Sequence, residues 1–551
     1  MYSSEPLPHF VDDYLAYLHE VQPTTATFDG VHTHDDLLED YSRAGIDAHL
    51  RELGSFSRRL GAINPDTLSP ARQLDRQRLD SHVRARIFEI EELRTWERSP
   101  QMYADTMALS LAAQALFAYA PPEERARRVL SKLRQVPRMI QSARANVKEP
   151  AGIFVKTAIE TLRGVHAFVE RDLPRAFAQV DDLSVLGDLA DASSEATTAI
   201  GEYVNFLDQE VAPKTRGSFR LGRERFEQKL ALEEEIAVPA DRLLAIGLRE
   251  LAAAQEEFRR VAAKVDAKSG PAEVWRRVKQ DHPAAGQLVA TARAQVEELG
   301  RFLTRHQVVT LPEAEMPVVG PTPQFYRWTF ASMWMPGAFE SRPLRSYYYL
   351  TDADPAWPAE RQEEHLRDFS TAALWSISMH ETYPGHFLHF QRIRQHESKL
   401  RKSAAFAPVS FVEGWAHYAE HLMFEQGFAK KDPALRLGQI AESLIRLARL
   451  VVGIRLHTED LSVEQGMRFF RDEAFLEESS ARKEAERGTF DPSYVLYALG
   501  KLMLLKLRAD VERQQGDGFT VRGFNDAVLD SGLVPFRVLR EQTIGGGTLI
   551  E

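Results

Sequence analysis

The chain has 551 residues, 44% of them apolar and 27% charged, so it can bury a large core and carries too much hydrophobicity for extensive disorder. Its formal net charge of −11 repels phosphate backbones and anionic membranes, which argues against nucleic acid and membrane partners. It has no cysteine, so disulfides, thiolate metal sites and cysteine nucleophiles are excluded, and a metal must be held by His, Asp or Glu.

The opening MYSSEPLPHFVDDYLAYLHE has no basic segment followed by an apolar run, and no stretch approaches the roughly 20 apolar residues that span a bilayer. Cytoplasmic residence is the expectation. Residues 1–310 read as helix after helix and are expected to form an N-terminal helical lobe. Phe10, Tyr14, Leu18 and Val21 recur at helical spacing until Pro23 ends the run. Ser69-Pro70 predicts an N-cap with proline at the first helical position, opening a helix with Leu79, Val83, Ile87 and Ile90 on one face. Pro121-Pro122-Glu123-Glu124 predicts another, its acids at the positive end of the helix dipole. Helical periodicity continues over about 237–307.

At 311–350 the texture changes. Six prolines bar helix, while Trp328, Phe330, Trp334 and Tyr347-Tyr348-Tyr349-Leu350 favour extended chain. A small β-ribbon is expected here, with Pro336-Gly337 as its turn. Helices resume near Pro358, and 351–551 is expected to be a helical metal-binding lobe.

The metal expectation rests on His380-Glu381-Thr382-Tyr383-Pro384-Gly385-His386. In the zincin pattern two His at i and i+4 lie about 40° apart on a helix, so both rings reach one ion while the adjacent Glu contacts its water. Here the second His comes six residues after the first, roughly 240° around an unbroken helix. Pro384 has no amide hydrogen for the His380 carbonyl, and Gly385 tolerates unusual backbone angles. Together they can kink the helix and swing His386 back toward His380. An ordinary helix stop followed by a new helix is the alternative.

A third ligand is sought in Phe411-Val412-Glu413-Gly414-Trp415-Ala416-His417-Tyr418-Ala419-Glu420-His421. Glu413, twenty-seven residues after His386, is the leading candidate. Glu413, His417 and His421 share one helix face, and either His417 or Glu420 is an alternative ligand or a hydrogen-bonding support for one. His421 reads as part of a solvated face.

With these residues on the page, the sequence resembles the bacterial proteins called domain of unknown function 885. These look like distant relatives of helical zinc peptidases such as thimet oligopeptidase and angiotensin-converting enzyme. The strings HETYPGHFLHF at 380–390 and FVEGWAHYAE at 411–420 carry the resemblance. RLARLVVGIRLH at 446–457, FDPSYVLYALGKL at 490–502 and FNDAVLDSGLVPFRVLRE at 524–541 are weaker matches. The resemblance implies a mainly α, two-lobed fold around a deep cleft, with one zinc held by His380, His386 and Glu413. It also implies Glu381 as general base and a late Tyr and His as oxyanion donors, for which Tyr497 and His457 are the candidates and Tyr494 the reserve. The implied activity is hydrolysis of a short peptide, with Tyr347, Tyr348 and Arg345 of the ribbon as candidate substrate contacts. A non-peptide amide substrate, a non-haem Fe(II) enzyme and a catalytically silent binding protein remain alternatives.

Overall fold

The computed structural model describes residues 6–312, 315–323, 327 and 330–551. Helices dominate on both sides of one small sheet. The first expected helix is α1 (Pro6–Val21), which buries Phe10, Tyr14 and Leu18, and Pro23 begins the next one. α2 (Pro70–Phe88) starts with proline at its first turn, where the missing amide hydrogen has no helical partner to lose. Its Ser69 side chain makes no capping hydrogen bond, contrary to the sequence expectation. Helices α3 (Pro100–Leu116), α4 (Pro122–Asn146), α5 (Gly152–Ala167) and α6 (Leu183–Phe206) pack on one another. The 237–307 stretch forms α7 (Ala240–Val265), a short helix at Pro271–Val278 and α8 (Leu288–His306).

The expected ribbon is a three-stranded sheet of β1 (Val318–Pro321), β2 (Ala331–Trp334) and β3 (Tyr347–Leu350), with β3 central. β3 runs parallel to β1 and antiparallel to β2, so Tyr348 stands opposite Val319 on one side and Met333 on the other. Side chains alternate across a strand. Tyr348 and Leu350 therefore join the large core, while Tyr347 and Tyr349 pack on Trp334, Phe117 and Tyr119. Trp328 lies outside the described residues. Pro336-Gly337 lies in the connection between β2 and β3, where the Glu340 amide donates to the Gly337 carbonyl at 3.1 Å and closes a turn. Gly337 lies against the backbone of Asp29 and Gly30, where a Cβ would collide.

After the sheet come α9 (Thr371–Glu381), α10 (His386–Arg394), α11 (Val409–Glu425), α12 (Pro433–Thr458), α13 (Glu478–Phe490) and α14 (Leu496–Gln515). The apolar cores do not divide at residue 310. One cluster joins Phe226 to Val309 with Val319 to Ile550, so α7 and α8 belong to the same packing unit as the metal motif. A second cluster is built from Leu38 and Tyr103 to Leu207, and a third joins Leu7 to Val83 with Leu400 and Phe406. The reason is physical: an amphipathic helix buries its stripe against whichever face is available, and periodicity does not name the partner. Among the described residues, no helix is long and apolar enough to cross a membrane.

Candidate metal centre

Ser370 caps α9 by accepting from the Ala373 amide, and the helix then carries Ser376, His380 and Glu381 toward its C-terminal end. It stops after Glu381. The Thr382 amide and hydroxyl both donate to the Ser378 carbonyl, at 2.9 and 2.6 Å. The Tyr383–Pro384 peptide is cis, and the Gly385 amide reaches back to the Met379 carbonyl at 3.0 Å. A Cβ on Gly385 would run into the carbonyls of Met379 and His380. Trp415 Nε1 donates to the Pro384 carbonyl at 2.9 Å and ties this junction to α11. The anticipated kink is thus a complete interruption, with α10 starting at His386.

The interruption brings the two imidazoles to a centroid separation of 4.7 Å, with planes at 87°. Glu413 of α11 completes the group, its Oε2 lying 3.4 Å from His380 Nε2 and 3.6 Å from His386 Nε2. Ligand-to-metal bonds of about 2.0–2.1 Å at tetrahedral angles put ligand atoms about 3.3–3.4 Å apart. Buried Glu413 Oε2 makes no well-aligned hydrogen bond. Three donors that converge without bonding one another fit a shared cation. Among the described residues this is the group of His, Asp and Glu side chains with that geometry, all ligand atoms lying within 4.8 Å of one another.

Glu413 and Glu420 stand on the two sides of one ring. Glu413 meets His380 Nε2, while Glu420 Oε1 accepts from His380 Nδ1 at 2.8 Å. Glu420 is fully buried; Ser376 Oγ donates to its Oε2 at 2.8 Å and Arg446 Nη2 stands 3.3 Å from Oε1. A carboxylate behind a ligating His sets its tautomer and orientation and raises its basicity. Glu420 is therefore placed to support His380 were that ring to hold a metal. His417 is buried beside it, Nδ1 3.5 Å from Glu420 Oε1. His421 is half-buried, and burial, with Lys501, Arg436 and Arg508 nearby, pushes its pKa down to about 3. Were zinc held by this group, Glu420→Gln should weaken its binding about 10- to 100-fold in a competition titration, because His380 Nδ1 loses its charged acceptor. Unchanged affinity would refute that support.

The charges are coupled. Burial opposes a charge on His380, but Glu413 and Glu420 outweigh it and raise its pKa to about 9. Burial likewise works against the Glu413 carboxylate, and the neighbouring His386 and His380 hold it well below the ordinary range. Because the His380 value lies above the unfolded value of about 6.5, the folded metal-free protein binds that proton more tightly. This contribution to stability is complete below about 6.5 and is lost as pH rises through about 9. Melting temperatures of metal-free protein should therefore show a fall over that window, which a cation held by His380 would remove. A window identical in both forms would contradict it.

Tyr497 of α14 is half-buried, and the Glu413 charge acts on its hydroxyl. Four expected site residues stand elsewhere or are closed off. His457 is 1% exposed, its Nε2 2.8 Å from the Gly488 carbonyl and its ring near Phe226 and Phe219. It lies eleven residues, about 16 Å, along α12 from Arg446, which contacts the ligand support. His457 is thus a core histidine, and no oxyanion donor is assigned to it. Tyr494, the reserve, is fully buried with its hydroxyl against Gly488. Tyr348 is fully buried with its hydroxyl 3.3 Å from Ser378 Oγ, so it packs the sheet on α9. Tyr347 stacks with Tyr349 at 5.3 Å on the opposite sheet face, among the Trp334 and Phe117 aromatics. Arg345 is exposed just before β3. Glu381 is half-buried, and its charge adds to burial in raising the Tyr348 phenol.

Sequence reasoning missed Ser376, Arg446, Arg449 and Arg487. Ser376 lies one turn before His380, and Arg446 and Arg449 interrupt the apolar run of α12. Charged residues inside a buried helix are the signal that could have found them.

The fold and site define a mainly helical protein with a small sheet and a His–His–Glu group at a broken helix. The chain belongs to a bacterial family of unknown function, DUF885, whose profile matches residues 23–543. No curated protein matches it. It is similar in structure to a protein from Shewanella oneidensis, provisionally called a lipoprotein and of unknown function, at 23% identity. That match covers 97% of this chain and 99% of the other, with a TM-score of 0.81. A second similar structure, from Colwellia psychrerythraea and also provisionally called a lipoprotein, has 18% identity, 98% coverage of both chains and a TM-score of 0.83. At these identities the likeness shows the fold.

Proposed function

We propose that this protein is a zinc-dependent hydrolase, a metallopeptidase acting on short peptides. The observation that carries the reading is the convergence of three donors, with Glu413 Oε2 3.4 and 3.6 Å from His380 Nε2 and His386 Nε2, all three ligand atoms within 4.8 Å of one another, and Glu381 next to His380. Three protein ligands, leaving one position open, is the catalytic arrangement of zinc. Held by His380, His386 and Glu413, zinc would supply a water of lowered pKa, toward about 7, and Lewis acidity toward a substrate carbonyl. Glu381 takes the proton of the attacking water and passes it to the leaving amine. The Tyr497 hydroxyl donates to the oxygen that becomes negative in the tetrahedral stage. Glu420 keeps His380 oriented with Nε2 free for the ion.

β2 is an outer strand of the sheet beside α9, a position from which an extended peptide could add main-chain hydrogen bonds. A helical, two-lobed enclosure of the kind found in helical zinc peptidases favours an oligopeptidase, dipeptidase or carboxypeptidase over cleavage of folded proteins. Two His and one carboxylate also suit Fe(II), but an oxygenase has no need of Glu381 beside the ligand. The test is incubation of zinc-loaded protein with a mixed peptide library, with products read by mass spectrometry and an oxygen-free arm included. Zinc-dependent, oxygen-independent cleavage supports the reading, and the absence of cleaved peptides overturns it.

A further inference from the structure

Among the described residues, Tyr497 has one hydrogen-bond partner for its hydroxyl: Arg487 Nη2 of α13, at 3.3 Å. A guanidinium carries five N–H donors and no acceptor. The hydroxyl oxygen therefore accepts from Arg487, and its own proton is directed elsewhere. Arg487 is itself held in place, its Nε and Nη2 lying 3.0 and 2.9 Å from Asp491 Oδ2, with its guanidinium 5.7 Å from the Tyr497 ring centre. Arg449 also lies over that ring, at 5.1 Å, but its Nε and Nη2 are both taken by Glu484 at 2.7 Å. The two arginines thus play different parts, and Arg487 is the one that addresses the hydroxyl.

The placement of Tyr497 relative to the metal group follows from helix packing. α11 and α14 cross with Gly414 against Gly500, so closely that a Cβ on Gly500 would strike the Ser410 carbonyl. Glu413 is the residue before Gly414, and Tyr497 lies one turn before Gly500. The glycine contact therefore draws the metal-facing carboxylate and the tyrosine to the same region.

We propose that Arg487 is a positioning residue for catalysis: by occupying a lone pair of the Tyr497 hydroxyl, it leaves that O–H as a donor for the oxyanion formed at the His380–His386–Glu413 centre. The proposal rests on the hydrolase reading and adds to it the group that orients its oxyanion donor. Burial and the Glu413 charge raise the phenol while Arg487 and Arg449 pull it down, and the outcome of about 12 keeps it protonated at neutral pH. Asp491 serves the same end at one remove, since it fixes Arg487 four residues along the chain.

The test is a double-mutant cycle in the zinc-loaded protein, using Tyr497→Phe, Arg487→Gln and the pair. Two readouts are needed: kinetics on a peptide that the parent cleaves, and calorimetric affinity for a phosphinic peptide that mimics the tetrahedral stage. Tyr497→Phe should lower kcat by roughly 100-fold with KM little changed. Arg487→Gln should lower kcat and phosphinic affinity by about tenfold each, and the double variant should match Tyr497→Phe alone. Arg487→Lys, which keeps a donor-only cation, should recover part of the loss and guards against a variant that simply fails to fold. Independent, multiplying effects, or an Arg487→Gln change confined to KM, overturn the positioning role while the hydrolase stands. Parent protein that neither cleaves a peptide nor binds the phosphinic peptide removes the hydrolase reading itself.

Discussion

Glu381→Gln is expected to reduce peptide cleavage by the zinc-loaded protein roughly 10³-fold while leaving zinc affinity within a few-fold of the parent. The amide has nearly the shape of the carboxylate but cannot accept a proton from water, and Glu381 is not among the three converging ligands. The measurement pairs single-turnover kinetics with a metal-competition titration. Cleavage at the parental rate would show that another group moves the proton. Loss of zinc together with activity would make Glu381 a ligand and require a different site.

Gly385→Ala is expected to destabilise the protein by on the order of 3 kcal/mol and to abolish tight zinc binding. The new methyl group would meet the carbonyls of His380 and Met379, which are backbone atoms of the helix that carries the first ligand. Neither can yield without moving His380 relative to His386, and the Gly385–Met379 hydrogen bond would be lost as well. Gly518, around which a Cβ meets nothing within 4 Å, supplies the control: Gly518→Ala should change neither melting temperature nor zinc affinity. A Gly385→Ala protein that melts and binds zinc like the parent would show that the junction relaxes, and that close backbone approach does not set the ligand geometry.

Much of the secondary structure was legible in the sequence because its causes are local. α1, α2 and α4 lie where apolar periodicity and proline at the first turn place them. The broken helix was legible for the same reason: Pro384 and Gly385 act on the backbone within a few residues of their own position. The sheet was visible as extended, proline-rich chain, but its three-strand order was not, since parallel pairing of β1 with β3 joins segments about thirty residues apart. Pro336-Gly337 was legible as part of the β2–β3 connection, but the close packing of Gly337 on the Asp29 backbone was not, since that neighbour lies about three hundred residues away along the chain.

The oxyanion candidates separate for a related reason. Tyr494 and Tyr497 are three residues apart near one face, yet the first is sealed against Gly488 and the second stands half-buried in reach of the Glu413 charge. His457 was nominated by a weak string match, and the length of α12 carries it far from the metal group.

By itself, the sequence determined that this is a mainly helical, cysteine-free chain whose broken helix brackets Pro384-Gly385 with two histidines. What only the tertiary structure decided is how the acids are shared. Glu413 and Glu420 lie seven residues, about 20° short of two full turns, apart on α11, so the motif favours Glu413 but helix geometry along the chain does not separate the two. The crossing of α11 with α9 lays the His380 ring across those two turns and gives one carboxylate to each of its nitrogens. Local rules place a side chain on a helix face, whereas its chemical partner depends on which other helix packs there, and that is a property of the whole core.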